Sequence, residues 1–331
     1  MGYIMQEPVK IISDTLVQQY ITVEEVIEQV ENTWKWYGEG KVIMPSKITL
    51  DMNSLGVHGW FNSMPSYIQE TDLAGLKFVG GFIDNRAIGL PFIRAKVFLC
   101  DPRTGSMKAL MGGDWISQFR TGAQPAIACK YLASSTDVVT IIGAGAQAYA
   151  ALECMRRVLS LKEVRICDIF PEARKNFIAK FPDVSFAMKD CESIEDACRG
   201  SDVIITLTTA DAPLVHDAWV DEGALVLTMG SYTETDEDLV LHCDRLLTDH
   251  IGQTLHRGNL YEMAKKGLVT EDSFSATLPE VIAGLKQGRT DPKERVLCQL
   301  VGMGAPDAAV AALVLKHIEE SGDAVPEVDL S

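Results

Sequence analysis

The stretch Gly143-Ala-Gly-Ala-Gln-Ala148 follows five β-branched or apolar-rich residues, Val138-Val-Thr-Ile-Ile142, and precedes a helix-forming run. A strand, a glycine turn and a helix in that order turn the helix's first N–H groups toward a bound anion. Gly143 permits the turn, Gly145 allows the backbone to approach a pyrophosphate, and Ala148 is small enough for helix-on-strand packing. The spacing G-x-G-x-x-A alone is weak. It gains weight because Asp168 closes the next apolar run, Val164-Arg-Ile-Cys-Asp168, where an acid would accept from a ribose 2′-OH and repel a 2′-phosphate. These residues predict a dinucleotide site that prefers NAD(H) over NADP(H).

Three cations precede that turn. Lys47 and Lys77 each stand in an apolar, strand-like context, and Arg120 stands in a helix of small residues. A cation so placed lies on a solvent face or in a polar pocket facing an anion, and spacing alone does not choose between them. Beyond the turn, Gly230-Ser-Tyr-Thr-Glu-Thr-Asp-Glu-Asp238 leaves a predicted strand at the edge where ligands bind. Tyr232 and the acids there can exchange protons, although Asp236, Glu237 and Asp238 also read as an acid-enriched helix start. Arg174 reads as an exposed residue of the following helix. The six histidines show no metal or triad spacing, so no metal is expected.

The elements that must position these groups fall into two patterns. Thr22-Val-Glu-Glu25 is a capping box, and apolar residues at helical spacing follow it to Tyr37. Strand-like pieces at 42–51, 57–63, 75–80 and 91–100 come next, and the turn Asp101–Gly105 leads into 107–110 as a hairpin. A helix is expected over 114–132, bent or delayed by Pro125. From 138 onward the rhythm changes to strands at 138–142, 164–168, 184–188, 203–208, 224–229 and 245–248. Helices near 146–160, 171–180 and 193–199 alternate with them, which predicts an α/β, doubly wound parallel sheet. Helical segments around 261–266 and 278–286 follow. The last helix, about 305–321, is rich in alanine and valine and suits close packing on the β-rich N-terminal part, making that first domain discontinuous. The tail 322–331 is expected to fray.

Composition limits the partners. The chain has 331 residues, is 47% hydrophobic and carries a net charge of −16. That balance excludes a nucleic-acid surface and suits an enzyme of small molecules. No 18-residue apolar run and no leader pattern over Met1 to Lys10 is present, so a cytoplasmic protein without a membrane partner is expected. The eight cysteines lack paired spacing and read as reduced thiols, with Cys191 and Cys198 placed on one short helix.

Taken in order, the motifs resemble the ornithine cyclodeaminase/μ-crystallin family. They are Met44-Pro-Ser-Lys47, Gly75-Leu-Lys77, Asp101-Pro-Arg-Thr-Gly105, Arg120-Thr121 leading to Lys130–Ala133, and the glycine turn. Ser201–Ile204 with Thr206 and Thr208, then Gly230, Gly288-Arg-Thr290 and Asp307, complete the set. The resemblance implies a homodimer with a discontinuous α+β substrate-binding and dimerisation domain, 1–125 and 305–331, beside a Rossmann domain, 126–304. It implies that Arg120 and Lys47 hold a substrate carboxylate and that Lys77 relays a proton. Lys47 departs from the family's usual arginine, leaving a point charge in place of a bidentate fork. Thr121, Gly143, Gly145, Ala146, Gln147 and Asp168 are implied at the phosphates and ribose, and Thr208, Gly230 and Ser231 toward the rest of the cofactor.

The implied chemistry is hydride transfer between NAD(H) and the α-carbon of a small α-amino or α-imino acid, as in an amino-acid dehydrogenase or ketimine reductase. Two alternatives remain: ammonia-eliminating cyclisation with catalytic NAD⁺, and a non-catalytic, crystallin-like nucleotide or ligand binder. Ornithine cyclodeaminases carry an aspartate near the position of Tyr232, and a phenol handles a distal ammonium poorly, although Glu234 is a conceivable substitute. Cys298-Gln-Leu-Val-Gly302 also departs from the family pattern.

Overall fold

The computed structural model describes residues 8–210 and 212–330. The chain divides into two compact units, one ending at Arg120 and resuming at Met303, the other spanning Thr121–Gly302. The leader reading over Met1 to Lys10 falls, up to residue 7, outside the described residues, as does Ser331.

In the first unit, strands β1 (Val9–Ile12), β2 (Val42–Ile43), β3 (Ile48–Asp51), β4 (Gly59–Ile68), β5 (Leu73–Phe82), β6 (Ile93–Cys100) and β7 (Met107–Gly112) form a mixed sheet in the order β1-β7-β6-β5-β4-β2. β3 pairs with β4, and a short last strand, Glu327–Val328, extends the far edge beside β1. Strand period 2 places Gly75, Lys77 and Val79 on one face of β5. The helix Ala305–Ser321 packs on β4, β5 and β6 and against the helix Val23–Gly38. Its small residues explain the fit: a Cβ added at Gly75 would stand 2.5 Å from the Ala308 Cβ. The helix Val23–Gly38 starts at the capping box, with Thr22 N donating to Glu25 at 2.8 Å and Glu25 N donating to Thr22 Oγ1 at 3.2 Å. It buries Val26, Ile27, Val30 and Trp34 on the side that meets the unit's core.

The second unit holds β8 (Val138–Ile142), β9 (Glu163–Cys167), β10 (Ala187–Cys191), β11 (Val203–Thr206), β12 (Leu225–Met229), β13 (Arg245–Thr248), β14 (Ala276–Thr277) and β15 (Val296–Leu300). They make a wholly parallel sheet in the order β10-β9-β8-β11-β12-β15-β13-β14. This is the expected Rossmann-type fold. The order reverses between β8 and β11, and ligands bind at the carboxyl ends of such strands.

Several expectations need correction. The predicted strand 184–188 is Ala187–Cys191, three residues later, because it pairs in register with β9 from Glu163 onward. Cys191 therefore closes a strand, and only Cys198 lies on the helix Ile194–Cys198. The tail does not fray: Ile11 N donates to the Pro326 carbonyl at 2.8 Å, and Tyr20 donates to Asp323 at 2.6 Å. β1 and β15 were not foreseen, and β15 inserts between β12 and β13. The helix expected over 114–132, by contrast, has those bounds, Asp114–Leu132, with Pro125 inside it removing the N–H that would meet the Thr121 carbonyl. Arg174, read as exposed, is 4% exposed, with its guanidinium on Asp190 and on the Asp168 carbonyl at 2.7 Å.

Candidate functional site

The chemistry-bearing groups of the first unit meet on Asp307. This residue lies in the first turn of the helix Ala305–Ser321, on the end that faces β5. Lys77 reaches it from the middle of β5, where its register partners are Met64 and Val97. Arg120 reaches it from the helix Asp114–Leu132, and Ser117, three residues earlier and so on the same face, reaches Lys77. Lys77 Nζ lies 2.9 Å from Asp307 Oδ1 and donates to Ser117 Oγ at 2.7 Å; Arg120 Nε lies 3.0 Å from Asp307 Oδ2. Each carboxylate oxygen thus takes one cation.

All three charged groups are buried, with Lys77 at 1%, Arg120 at 6% and Asp307 at 0% exposure. Burial lowers the Lys77 pKa to about 8, the Arg120 charge pushes the same way, and Asp307 opposes both. The cluster carries one excess positive charge. Arg120 Nε and Nη1 and both Asp307 carboxylate oxygens are buried without a hydrogen-bond partner among the described residues, so the ion pairs are close charge contacts, and Lys77 donates one hydrogen bond, to Ser117 Oγ. A buried cationic site with unspent donors matches a carboxylate or carbonyl ligand. Lys47 is half-buried just before β3, which reaches β5 through β4.

In the second unit the switch point is built from glycine and threonine. Gly143 has φ +102°, and a Cβ there would stand 2.7 Å from the Leu207 carbonyl oxygen, so only glycine fits between the β8 and β11 ends. Gly145 is the N-cap of the helix Ala146–Val158 and offers no side-chain cap, while Gly145 and Ala146 are exposed. A Cβ at Gly145 would meet nothing within 4 Å, which leaves room for a phosphate at that helix end. Gln147 is half-buried and Ala148 is buried. Asp168 accepts from Ala144 N at 2.8 Å and from Phe170 N at 2.9 Å, which orients its carboxylate at the turn.

Thr208 is half-buried where the chain leaves β11. Gly230, with φ +101°, Ser231 and Tyr232 follow β12, and Thr121 lies on the helix Asp114–Leu132. Thus Gly143, Gly145, Ala146, Gln147, Asp168 and Thr208 gather around the switch point, and Lys77 and Arg120 around Asp307. Glu234 is not a substitute for the missing aspartate: it is buried, and its carboxylate is taken up by Thr206 and Thr208. Sequence reasoning missed Ser117, and it matched Asp307 without a role. An acid in a helix first turn reads as a dipole partner until its long-range cations are visible.

A family model described as ornithine cyclodeaminase/mu-crystallin matches residues 8–322. The alanine dehydrogenase of Archaeoglobus fulgidus is 32% identical over 93% of this chain and 94% of that protein. The chain belongs to the ornithine cyclodeaminase/mu-crystallin family. Among solved members, an archaeal alanine dehydrogenase dimer with bound NAD is 31% identical, with TM-score 0.91 over 98% of this chain and 100% of that one. The Thermococcus litoralis Δ1-pyrroline-2-carboxylate reductase, solved with NADH and L-proline, is 31% identical, with TM-score 0.89 over 95% and 98% of the two chains.

Removing the shared carboxylate leaves two buried cations facing each other. Asp307→Ala should cost about 3–5 kcal/mol, read as a lowered urea midpoint, with Asp307→Asn milder. An unchanged midpoint in both variants would contradict the ion cluster.

Proposed function

We propose that this family member is an NAD(H)-dependent oxidoreductase, an amino-acid dehydrogenase or imine reductase that transfers hydride at the α-carbon of a small α-amino or α-imino acid. The observation that carries the reading is the buried Lys77–Asp307–Arg120 cluster with the unspent Arg120 donor. Arg120 and Lys47 hold the substrate carboxylate, Lys47 as a point charge. Lys77 exchanges a proton with the substrate nitrogen through a remaining N–H, while Asp307 and Ser117 fix its direction. The glycine turn, the uncapped helix end and Asp168 fit a dinucleotide, which supplies or takes the hydride when bound. Cyclisation of a diamino acid is disfavoured because Tyr232 stands on the loop after Gly230 and Glu234 is engaged elsewhere.

Within that reading, the first unit is the substrate-binding and dimerisation domain and the second the Rossmann domain. A homodimer is supported by the sheet face opposite Lys77. There Ile48 and Leu50 are exposed, and Phe61 stacks on Phe78 with ring centroids 4.8 Å apart. Sedimentation equilibrium should return twice the 36.3 kDa chain mass, and a monomer at micromolar concentration would contradict it.

The cofactor preference follows from Asp168, which accepts from a 2′-OH and repels a 2′-phosphate. The nearby cation Arg174 is already committed to Asp190 and the Asp168 carbonyl. NADH should bind more tightly than NADPH, and Asp168→Ser should narrow the gap by about tenfold or more. Equal affinities in the unsubstituted protein would refute this preference.

A neutral Lys77 accepts a proton in amino-acid oxidation, and a protonated Lys77 delivers one in imine reduction. With its pKa near 8, kcat/KM for oxidation should rise with pH through about 8, and that for reduction should fall above it. Lys77→Met should abolish both limbs; a surviving pH limb near 8 in that variant would assign it elsewhere.

A further inference from the structure

Glu234 is a fully buried acid with no cationic partner among the described residues. Its carboxylate accepts from Thr206 Oγ1 at 2.8 Å, from Thr208 Oγ1 at 2.6 Å and from Thr208 N at 2.9 Å. Burial raises its pKa, and the three donors pull against that shift. A buried carboxylate satisfied only by neutral donors is costly unless those donors are held in place.

The frame that presents it is fixed separately. Asn259 Oδ1 accepts from Glu234 N at 2.8 Å and from Thr235 N at 2.9 Å. The Glu234 carbonyl accepts from Leu214 N at 2.9 Å and from Val215 N at 3.0 Å. Glu234 therefore reaches from an anchored loop after β12 to the segment Thr206–Thr208, which leaves β11 at the switch point. That same segment carries the Leu207 carbonyl against Gly143.

The bonding also sets what Thr208 can do. Its single hydroxyl hydrogen goes to Glu234, and the oxygen accepts from Ala210 N at 3.1 Å. One lone pair remains, so toward a ligand Thr208 is an acceptor only.

We propose that Glu234 is a positioning residue for the dinucleotide, holding Thr208 as an acceptor for a ligand N–H or O–H at the β8–β11 switch point. This rests on the reading of the second unit as the NAD(H) site. What matters is reach rather than charge. Glutamine keeps the length, accepts from Thr208 through its amide oxygen and donates to Thr206 Oγ1. Aspartate keeps the charge and falls one methylene short.

The test is NADH titration by fluorescence on the full-length chain. Glu234→Gln should bind within about threefold of the unsubstituted protein, whereas Glu234→Asp and Glu234→Ala should weaken binding by about tenfold or more. Because Glu234 acts through Thr208, the Glu234→Ala/Thr208→Val pair should lose far less than the product of the single losses. If the alanine variant does not fold, the Asp and Gln pair still decides. Full affinity in Glu234→Asp, or loss in Glu234→Gln equal to that in Glu234→Asp, would overturn the proposal. An unsubstituted chain that binds neither NADH nor NADPH would instead overturn the nucleotide site itself.

Discussion

Two buried cations share one buried carboxylate in the first unit, and the surrounding elements are arranged to make that tolerable. Desolvating Lys77, Arg120 and Asp307 costs several kcal/mol per ion, and a salt bridge repays this only with good geometry and further hydrogen bonds. A strand and two helices bring the three charges to one point, and Ser117 accepts a hydrogen bond from Lys77, while the Asp307 oxygens and Arg120 Nε and Nη1 have no hydrogen-bond partner among the described residues. The last helix must approach closely for Asp307 to arrive, which is why it is built of alanine and why β5 carries Gly75 opposite Ala308. The cluster remains one positive charge in excess. A stability argument alone would replace it with apolar side chains. Its retention makes sense for a site that receives an anion.

The second unit solves a different problem. A dinucleotide needs backbone N–H groups, room for phosphates and an oriented acid, and these come from backbone conformation more than from side-chain charge. Gly143 sits in left-handed space against the Leu207 carbonyl, and Asp168 is held by two amides. Across the same carboxyl edge, Thr206, Thr228, Gln299 and Thr248 lie in register on adjacent strands, all buried. In the Cys298–Gly302 stretch, Gln299 belongs to this rung at a central strand end, and its Nε2 donates to the Gly230 carbonyl at 3.3 Å.

What sequence reading could reach was local or periodic. The glycine turn with its acid, the capping box, the small-residue last helix and the βαβ rhythm each leave a signature within about 20 residues. What it missed was long-range. β15 is a five-residue stretch, Val-Leu-Cys-Gln-Leu, indistinguishable from a helix fragment until β12 and β13 flank it, and β1 takes its meaning from β7, about a hundred residues away. Arg174 looked like any helical arginine because its partner Asp190 lies on β10, the next strand in the chain. Glu234 lies in a loop of eight acidic and hydroxyl residues, Ser231–Asp238, and only the fold shows that Glu234 and Thr235 turn inward.

The most direct measurement of hydride transfer at the α-carbon uses NADH carrying deuterium at both nicotinamide C4 positions, with small 2-oxo acids plus ammonia or methylamine, and follows the product by mass spectrometry. One deuterium at the α-carbon per NADH consumed is the predicted result. No deuterium at the α-carbon of any product across the panel would contradict it.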